Sequence, residues 1–511
     1  MAAWWLEDYA AAIDARERAF RAFRAREDPL GAARVAVWLA SDYADYRGEL
    51  AIANGWLRRA ERLLQGAGDV PERAWLGMMK GHFALMVDRD PAAARRLGAE
   101  ASRIAREVGP ADMEMVGVAL EGLALVVEGD IARGMGQLDE ATTAVTAGEL
   151  TEPSCVGITC CYLIRACEQV RDYDRAAQWC ERVREFCRRW NYTALFSACR
   201  IQYASLLTTR GEWCEAESEI DALARHVERI QPRLLPVARI RLAELRRRQG
   251  RWEEAESLFA EGGSHTLALL GRAALALDRG DAAAAAELAE EYLRRVPEQD
   301  RTERVPGLEL LIGAKAASGE IDVAKHALEE LRGIAGIVKT DPLQAGVADA
   351  EGAILSAMGD FLGARRRLEE SAALHERSRT PFEAARARAQ LARTLRALGR
   401  REGAALEARA AVAVFEQLGA DRDAAVARVF LAELEARTSG RGGKSSDAGR
   451  LTHREIEVLR LVAQGLSDKE VALRLGLSEH TIHRHITNVL TKTGLPSRTA
   501  AVAHAARKGL I

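Results

Sequence analysis

Three histidines lie close together near the C-terminus, in the stretch LSEHTIHRH that begins at Leu477. Imidazoles bind zinc and titrate near neutral pH, so a metal site, a titrating switch and recognition of another molecule are all candidate functions. On a helix each residue advances by about 100°. His483 and His485 then flank the buried stripe on opposite sides, and His480 with His483 lacks a third ligand. The stretch therefore predicts no metal site.

All eight cysteines fall between Cys155 and Cys214. None of them form the paired C-x-x-C spacing of a zinc site, and cytoplasmic thiols are kept reduced. The N-terminus is charged early and the chain has no long apolar run, which indicates a cytoplasmic protein without membrane segments. We interpret the cysteines as reduced core residues, with redox or metal sensing as the alternative.

Few residues are arranged as catalysis would require. The sequence GGKS at 442–445 resembles the end of a phosphate-binding loop, but the Walker pattern needs glycine where Thr438 stands. We find no nucleophile elbow, metal-ligand cluster or isolated carboxylate pair, so neither an enzyme nor a cofactor is expected. The charged run from Arg365 to Glu370 is interpreted as the solvated face of a helix.

Short helices with clear start and stop signals must position the histidines. Thr452 and Glu455 have the spacing of a capping box, and apolar residues follow at helical intervals. The 61-residue segment thus contains a short helix, a glycine-containing turn and another helix. This is the helix-turn-helix design, whose second helix enters the DNA major groove. The further predicted caps and stops are Gly465, Ser467, Gly476, Ser478, Gly494 and Ser497.

The charge changes at the same place. Residues 437–511 carry thirteen Lys or Arg against six Asp or Glu, a net charge of +7, while the whole chain is −2 and the preceding part is therefore −9. A small basic segment attached to an acidic one indicates a polyanionic partner. Basicity alone is weak evidence, because many solvated surfaces carry such an excess.

The segment LTHREIEVLRLVAQGLSDKEVALRLGLSEHTIHRHITNVLTKTGLPSRTAAVAHA resembles the LuxR-type, or GerE-like, DNA-binding domain over essentially its whole length. Three residues depart from the family pattern. Asp468 stands where asparagine is usual, His483 where lysine is common, and Thr493 where leucine follows the lysine. The resemblance implies double-stranded DNA as a partner and a homodimer on that DNA.

The resemblance also implies roles for single residues. On the recognition helix Arg484 can offer two donors to guanine, and His483 can donate or accept one bond. Arg498, which opens the last helix, is a further phosphate candidate. The residues expected at bases are His483, Arg484 and Thr487, those expected at phosphates are Ser478, Thr481, Asn488, Lys492 and Arg498, and those expected on the dimer face are Ala500, Ala501 and Ala505. His485 is expected to be structural.

A repeat of about forty residues runs through the first 436 residues. Segments such as GEWCEA at Gly211 and GRWEEA at Gly250 recur at intervals that are mostly 39 to 42 residues. Glycine, or a charged residue, ends one helix, and a small residue five positions later lets two helices approach closely. The interval from Gly250 to Gly280 is only 30 residues, which predicts a kink or loosened packing near Gly262.

The units resemble tetratricopeptide repeats, which form superhelices that bind peptides or ligands on a concave face. The expected fold is all-α: a tetratricopeptide-like array in residues 1–436, a flexible linker in 437–450 and a LuxR-type four-helix domain in 451–511. The whole arrangement resembles bacterial transcription regulators that combine the two parts.

We therefore expect a DNA-binding transcription regulator. Its repeats would bind a protein or small-molecule effector or another copy of the chain, and RNA polymerase is a candidate partner. An interaction scaffold with a weak or vestigial DNA-binding tail is the alternative.

Overall fold

The computed structural model describes residues 8–190, 197–230, 234–439, 451–493, 495 and 497–511. Within these ranges the regular secondary structure is helical and no strand occurs. One π-helical turn, Tyr43–Arg47, interrupts the α-helices. The all-α prediction is confirmed.

Among the described residues, twenty-two α-helices form the repeat array and pack as successive antiparallel pairs. They are α1 (Tyr9–Ala25), α2 (Pro29–Asp42), α3 (Leu50–Leu63), α4 (Pro71–Met86), α5 (Pro91–Val108), α6 (Ala111–Glu128), α7 (Ile131–Ala147), α8 (Pro153–Val170), α9 (Tyr173–Trp190), α10 (Ser197–Arg210) and α11 (Trp213–Ile230). The second half comprises α12 (Leu235–Arg248), α13 (Trp252–Glu261), α14 (Thr266–Asp278), α15 (Ala282–Arg295), α16 (Arg301–Ala317), α17 (Ile321–Val338), α18 (Asp341–Ala357), α19 (Phe361–Arg377), α20 (Pro381–Ala397), α21 (Arg401–Leu418) and α22 (Asp421–Ser439).

In the repeated segments whose opening residue the structure describes, that residue has a left-handed backbone, as the sequence predicted. Arg89 and Arg171 occupy this position without being glycine, and their φ angles are 53° and 57°. Non-glycine residues adopt this region at a steric penalty. The glycines at this position have φ between 70° and 100° and are Gly48, Gly129, Gly211, Gly250, Gly280, Gly319, Gly359 and Gly399.

The small residue five positions later is buried in every repeat. A methyl group added at Gly134 would lie 2.5 Å from the carbonyl oxygen of Gly122, so α6 and α7 touch through their backbones there. A larger side chain at such a position would push two helices apart. The alanines at the equivalent position are at most 4% exposed and are Ala12, Ala53, Ala94, Ala176, Ala216, Ala255, Ala285, Ala324, Ala364 and Ala404.

Early and late repeats also pack against each other, which the periodicity did not predict. One hydrophobic core joins side chains of α1 to α10 with side chains of α15 to α18. Arg171 binds Glu309 of α16 through two hydrogen bonds of 2.8 and 2.6 Å, and Arg89 lies 3.4 Å from Asp300. The two arginines in left-handed positions thus connect distant repeats, where glycine could not.

The short repeat is accommodated in one helix. α13 has ten residues, fewer than any other array helix that the structure describes. Gly262 itself packs closely, because an added methyl group would lie 2.8 Å from Ile240, whereas one at Gly263 would meet nothing within 4 Å. A kink or loosened packing near Gly262 stays a prediction.

The described part of the C-terminal domain contains four helices, α23 (His453–Ala463), α24 (Asp468–Leu475), α25 (Glu479–Thr493) and α26 (Arg498–Arg507). Its core includes Val458, Val471 and Ile482, which are fully buried. α22 extends through the first residues of the predicted linker 437–450, and residues 440–450 lie outside the described residues. The predicted stop at Gly494 also lies outside them.

Candidate nucleic-acid interface

Two capping boxes fix the starts of the first two helices of the domain. In each box the hydroxyl of the cap accepts from a backbone N–H, and the glutamate three residues later accepts from the cap's own N–H. The pairs are Thr452 with Glu455 and Ser467 with Glu470. Gly476 ends α24 with φ of 63° and turns the chain into α25. Local sequence therefore sets where α23 and α24 begin and where the chain turns into α25.

The recognition helix α25 divides into faces as the 100° step predicted. Ile482 and Val489 are fully buried in the domain, and Ile486 is 6% exposed. His483 and Thr487 are exposed, and the Thr487 hydroxyl donates 3.0 Å to the carbonyl oxygen of His483. The side chain of His480 lies outside the described residues.

Two of the three departures from the LuxR-type pattern are neighbours in space. Nδ1 of His483 lies 3.7 Å from Oδ2 of Asp468, and the His483 side chain is 74% exposed. The other oxygen of Asp468 accepts from Arg498 at 2.9 Å, and Arg498 also donates 3.1 Å to the carbonyl oxygen of Leu466. The Asp468 carboxylate therefore binds Arg498, a phosphate candidate, and lies near His483, a base candidate.

The other phosphate candidates begin and end α25. The backbone N–H of Thr481 donates 3.2 Å to Oγ of Ser478, as expected of a helix cap. Lys492 donates two hydrogen bonds of 2.8 Å to the Glu455 carboxylate, so its ammonium already has a partner inside the domain. Asn488 is half-buried.

Arg484, the predicted guanine reader, is covered by the repeat array. Its guanidinium forms an ion pair with Glu407 of α21, and the two side chains are only 11% and 4% exposed. Thr481 and the turn at Gly476 also contact the array. The side chain points away from the core of its own domain, as predicted, but it does not face solvent.

The predicted dimer residues are only partly on the surface. Ala501 and Ala505 are 1% and 0% exposed because they pack on Leu459 and Val489 inside the domain. Ala500 is half-exposed. Because the inner alanines fill the domain's core, Ala500 and the exposed residues of α26 remain for a dimer contact, and the dimer face stays a prediction. The exposed residues are Thr499, Ala503, Ala506 and Arg507.

His485 is half-buried beside the domain core, and burial, together with nearby Arg454 and Arg484, lowers its pKa to about 4. The His485 imidazole is therefore neutral at physiological pH. Within the described part of the chain, no group of three or more potential metal-ligating side chains occurs. No helix in that part is long and apolar enough to cross a bilayer.

The predicted core location is confirmed for most of the described cysteines, whereas their reduced state stays a prediction. Cys155 and Cys167 are fully buried, and burial raises the pKa of both thiols. Burial likewise raises the pKa of Cys180 to about 12. Cys214 differs, since it is exposed.

The interpretation of the run from Arg365 to Glu370 as a solvated face is wrong for two of its residues. Arg365 and Glu369 are 8% and 6% exposed and contact the C-terminal domain. They lie four residues apart, on the same side of α19 as buried Leu368 and Ala372. This alignment of charged with apolar residues was the signal that could have identified them.

Comparison with known proteins shows which family the C-terminal domain resembles. Residues 449–505 match the family described as bacterial regulatory proteins, luxR family. A putative HTH-type transcriptional regulator of Mycobacterium tuberculosis is 48% identical over 73 residues, which are 14% of this chain and 8% of that protein. Transcriptional regulatory protein YdfI of Bacillus subtilis is 40% identical over 68 residues, 13% of this chain and 32% of that protein. The chain thus spans a third or less of these relatives.

Solved structures with similar helical arrays include a Rap protein complexed with competence and sporulation factor, with 13% identity and a TM-score of 0.39 over 81% of this chain and 99% of that one. NprR in complex with its cognate peptide NprX has 13% identity and a TM-score of 0.42 over 63% of this chain and 97% of that one. Scores below 0.5 establish no relationship for the array. For the C-terminal domain, in contrast, the family match and the order of the helices agree. Residues 449–505 form a LuxR-type helix-turn-helix domain.

Proposed function

We propose that the protein is a transcription regulator that binds promoter DNA through α25. The observation that carries the proposal is the LuxR-type match over 449–505, on a domain whose four helices and two capping boxes have the order of a helix-turn-helix. A recognition helix of this kind lies in the major groove and presents its first turns to base edges. The relatives named above, a putative HTH-type transcriptional regulator and a transcriptional regulatory protein, support the same function.

The proposed DNA contacts follow the faces of α25. His483 and Thr487 are exposed where a helix would meet base edges, and Arg484 has the two donors that guanine O6 and N7 accept. The backbone at the start of α25 adds donors for a phosphate. The proposed phosphate contacts are Ser478, Thr481, Asn488, Lys492 and Arg498.

The repeats are proposed to bind the regulator's signal, which is a protein or small-molecule effector or a second copy of the chain. Stacked helix pairs present an extended surface on which such partners bind. Two copies bound to a two-fold symmetric site, with RNA polymerase nearby, would complete the arrangement. Because the target is chromosomal DNA, we propose that the protein acts in the cytoplasm.

Selection from a random pool of DNA duplexes tests the proposal with the full-length chain. A regulator should enrich one sequence motif, bind it more tightly than a shuffled duplex, and lose affinity steeply as salt rises. Equal affinity for the enriched and shuffled duplexes at every salt concentration would instead favour the scaffold alternative.

A further inference from the structure

The repeat array holds the recognition helix by the side chains proposed to read DNA. Arg484 of α25 forms its ion pair with Glu407 of α21, and both groups are almost completely removed from solvent. Arg484 is too deeply covered to reach a base while this pair persists. The pair joins residues that are 77 positions apart in the chain.

Two more contacts lie beside the ion pair and use α19. The Thr481 hydroxyl lies 3.4 Å from Oε1 of Glu369, and Nη2 of Arg365 donates 3.1 Å to the carbonyl oxygen of Gly476. Gly476 is the turn residue between the two helices of the helix-turn-helix. The array therefore contacts the turn, the first turn of α25 and its proposed base reader.

Docked and DNA-bound positions of α25 exclude each other. The major groove is only about 12 Å wide, so a helix inside it has no room for a second protein layer on its reading face. In the docked state the carboxylates of Glu407 and Glu369 lie where Arg484 and Thr481 would meet a base edge and a phosphate. The array thus places two carboxylates, beside the Arg365 guanidinium, against the surface that the DNA would contact.

Burial of these charges leaves the docked contact incompletely satisfied. Nε and Nη1 of Arg365, Nε of Arg484 and Oε2 of Glu407 are buried without a hydrogen-bond partner among the described residues. Nη1 of Arg484 forms the ion pair with Glu407, but the geometry of this contact is not that of a hydrogen bond. Unsatisfied buried polar groups weaken an interface, so DNA or an effector can displace this one.

We propose that the surface formed by Arg365, Glu369 and Glu407, hereafter the docking surface, binds the chain's own recognition helix in competition with DNA. This inference rests on the proposed function. A ligand that binds the repeats and disturbs α19 or α21 would release α25. Regulation would then consist of a shift between docked and free domains.

Neutral variants of the full-length chain test the competition. In Glu369→Gln/Glu407→Gln both carboxylates lose their charge while their shape is kept. Apparent affinity is the intrinsic affinity reduced by the fraction of competent molecules. If one chain in ten is undocked, the variant should bind the selected duplex about tenfold more tightly than wild type does.

Glu402→Gln is the matched control, because Glu402 lies on the same helix and is exposed. It should bind the duplex as wild type does. Equal affinities for wild type, control and double variant would overturn the competition. A double variant that binds more weakly than wild type would overturn it as well.

Hydrogen exchange without DNA measures docking independently of DNA binding. Amides of Glu479–Thr493 should exchange faster in Glu407→Arg than in wild type, and Glu407→Arg/Arg484→Glu should restore protection by reversing the pair. Unchanged exchange in Glu407→Arg would overturn docking even if DNA binding is intact. If the amides exchange faster in Glu407→Arg but the full-length chain selects no DNA sequence, the docking stands. The proposed function and the competition with DNA are then overturned.

Discussion

Lys492 and Glu455 connect the end of the recognition helix to the start of the domain. The Lys492 ammonium donates two 2.8 Å hydrogen bonds to the carboxylate that also accepts from the backbone N–H of Thr452 at 2.7 Å. One buried glutamate thus closes the capping box of α23 and fixes α25. The same lysine is a proposed phosphate contact, so DNA binding and domain stability share a side chain.

Glu455→Ala should destabilise the C-terminal domain by about 2 kcal/mol, because it removes a helix cap and leaves Lys492 without its partner. Urea unfolding followed by hydrogen exchange of the domain's peptides measures this change. Glu457→Ala is the control, since Glu457 lies on the same helix and its side chain is 39% exposed. Equal losses in both variants would contradict the role assigned to Glu455.

Arg484→Ala should weaken binding to the selected duplex by about 1–3 kcal/mol and relax the sequence preference, since it removes two donors to a base. The change is best made in the Glu369→Gln/Glu407→Gln chain, where docking no longer competes. Fluorescence anisotropy with selected and shuffled duplexes measures both quantities. An equal loss on both duplexes would assign Arg484 to the phosphates instead.

Lys492→Ala should weaken binding to all sequences alike and reduce the slope of log affinity against log salt by about one, because it removes one phosphate contact. The same anisotropy titrations at several salt concentrations measure the slope. A selective loss on the chosen duplex, with no change in slope, would contradict this assignment.

Acid should destabilise the C-terminal domain through His485. Its pKa in the folded domain is about 4, below the ordinary histidine value of 6.5, so the unfolded chain binds more protons between these values. The contribution of the neutral His485 imidazole to the stability of the folded domain is fully present above about pH 6.5 and is lost as the pH falls toward 4. His485→Gln should flatten the fall in stability measured by urea unfolding with hydrogen exchange, whereas His453→Gln, at an exposed position, should not. Parallel pH profiles for wild type and His485→Gln would rule out this linkage.

Arg171→Gly should destabilise the array by about 2 kcal/mol although it removes an unfavourable backbone conformation. Glycine at φ 57° relieves about 1 kcal/mol, but the loss of the guanidinium leaves Glu309 without its two hydrogen bonds. Urea unfolding followed by circular dichroism measures the difference. Arg379→Gly is the control, because Arg379 is exposed with φ of 53°, and it should stabilise the chain slightly. Stabilisation by both changes would show that the bridge to Glu309 contributes little.

The local features of the sequence determined where the helices begin and end and which side of each helix is buried. Left-handed turns at Gly211 and Gly250, the buried small residue after each turn, and the capping box at Thr452 follow from interactions within a few residues of chain. The family resemblance identified the helix-turn-helix, because its pattern is recorded in one continuous segment.

Tertiary structure decided which of these surfaces are free. Arg365 and Glu369 look solvated in sequence because their partners lie more than 100 positions away. Ala501 and Ala505 could be assigned to a dimer or to a core, and only the position of α23 placed them in the core. Periodicity specifies which side of a helix is apolar, but it does not specify which distant helix covers the rest, because that depends on how all the repeats stack together.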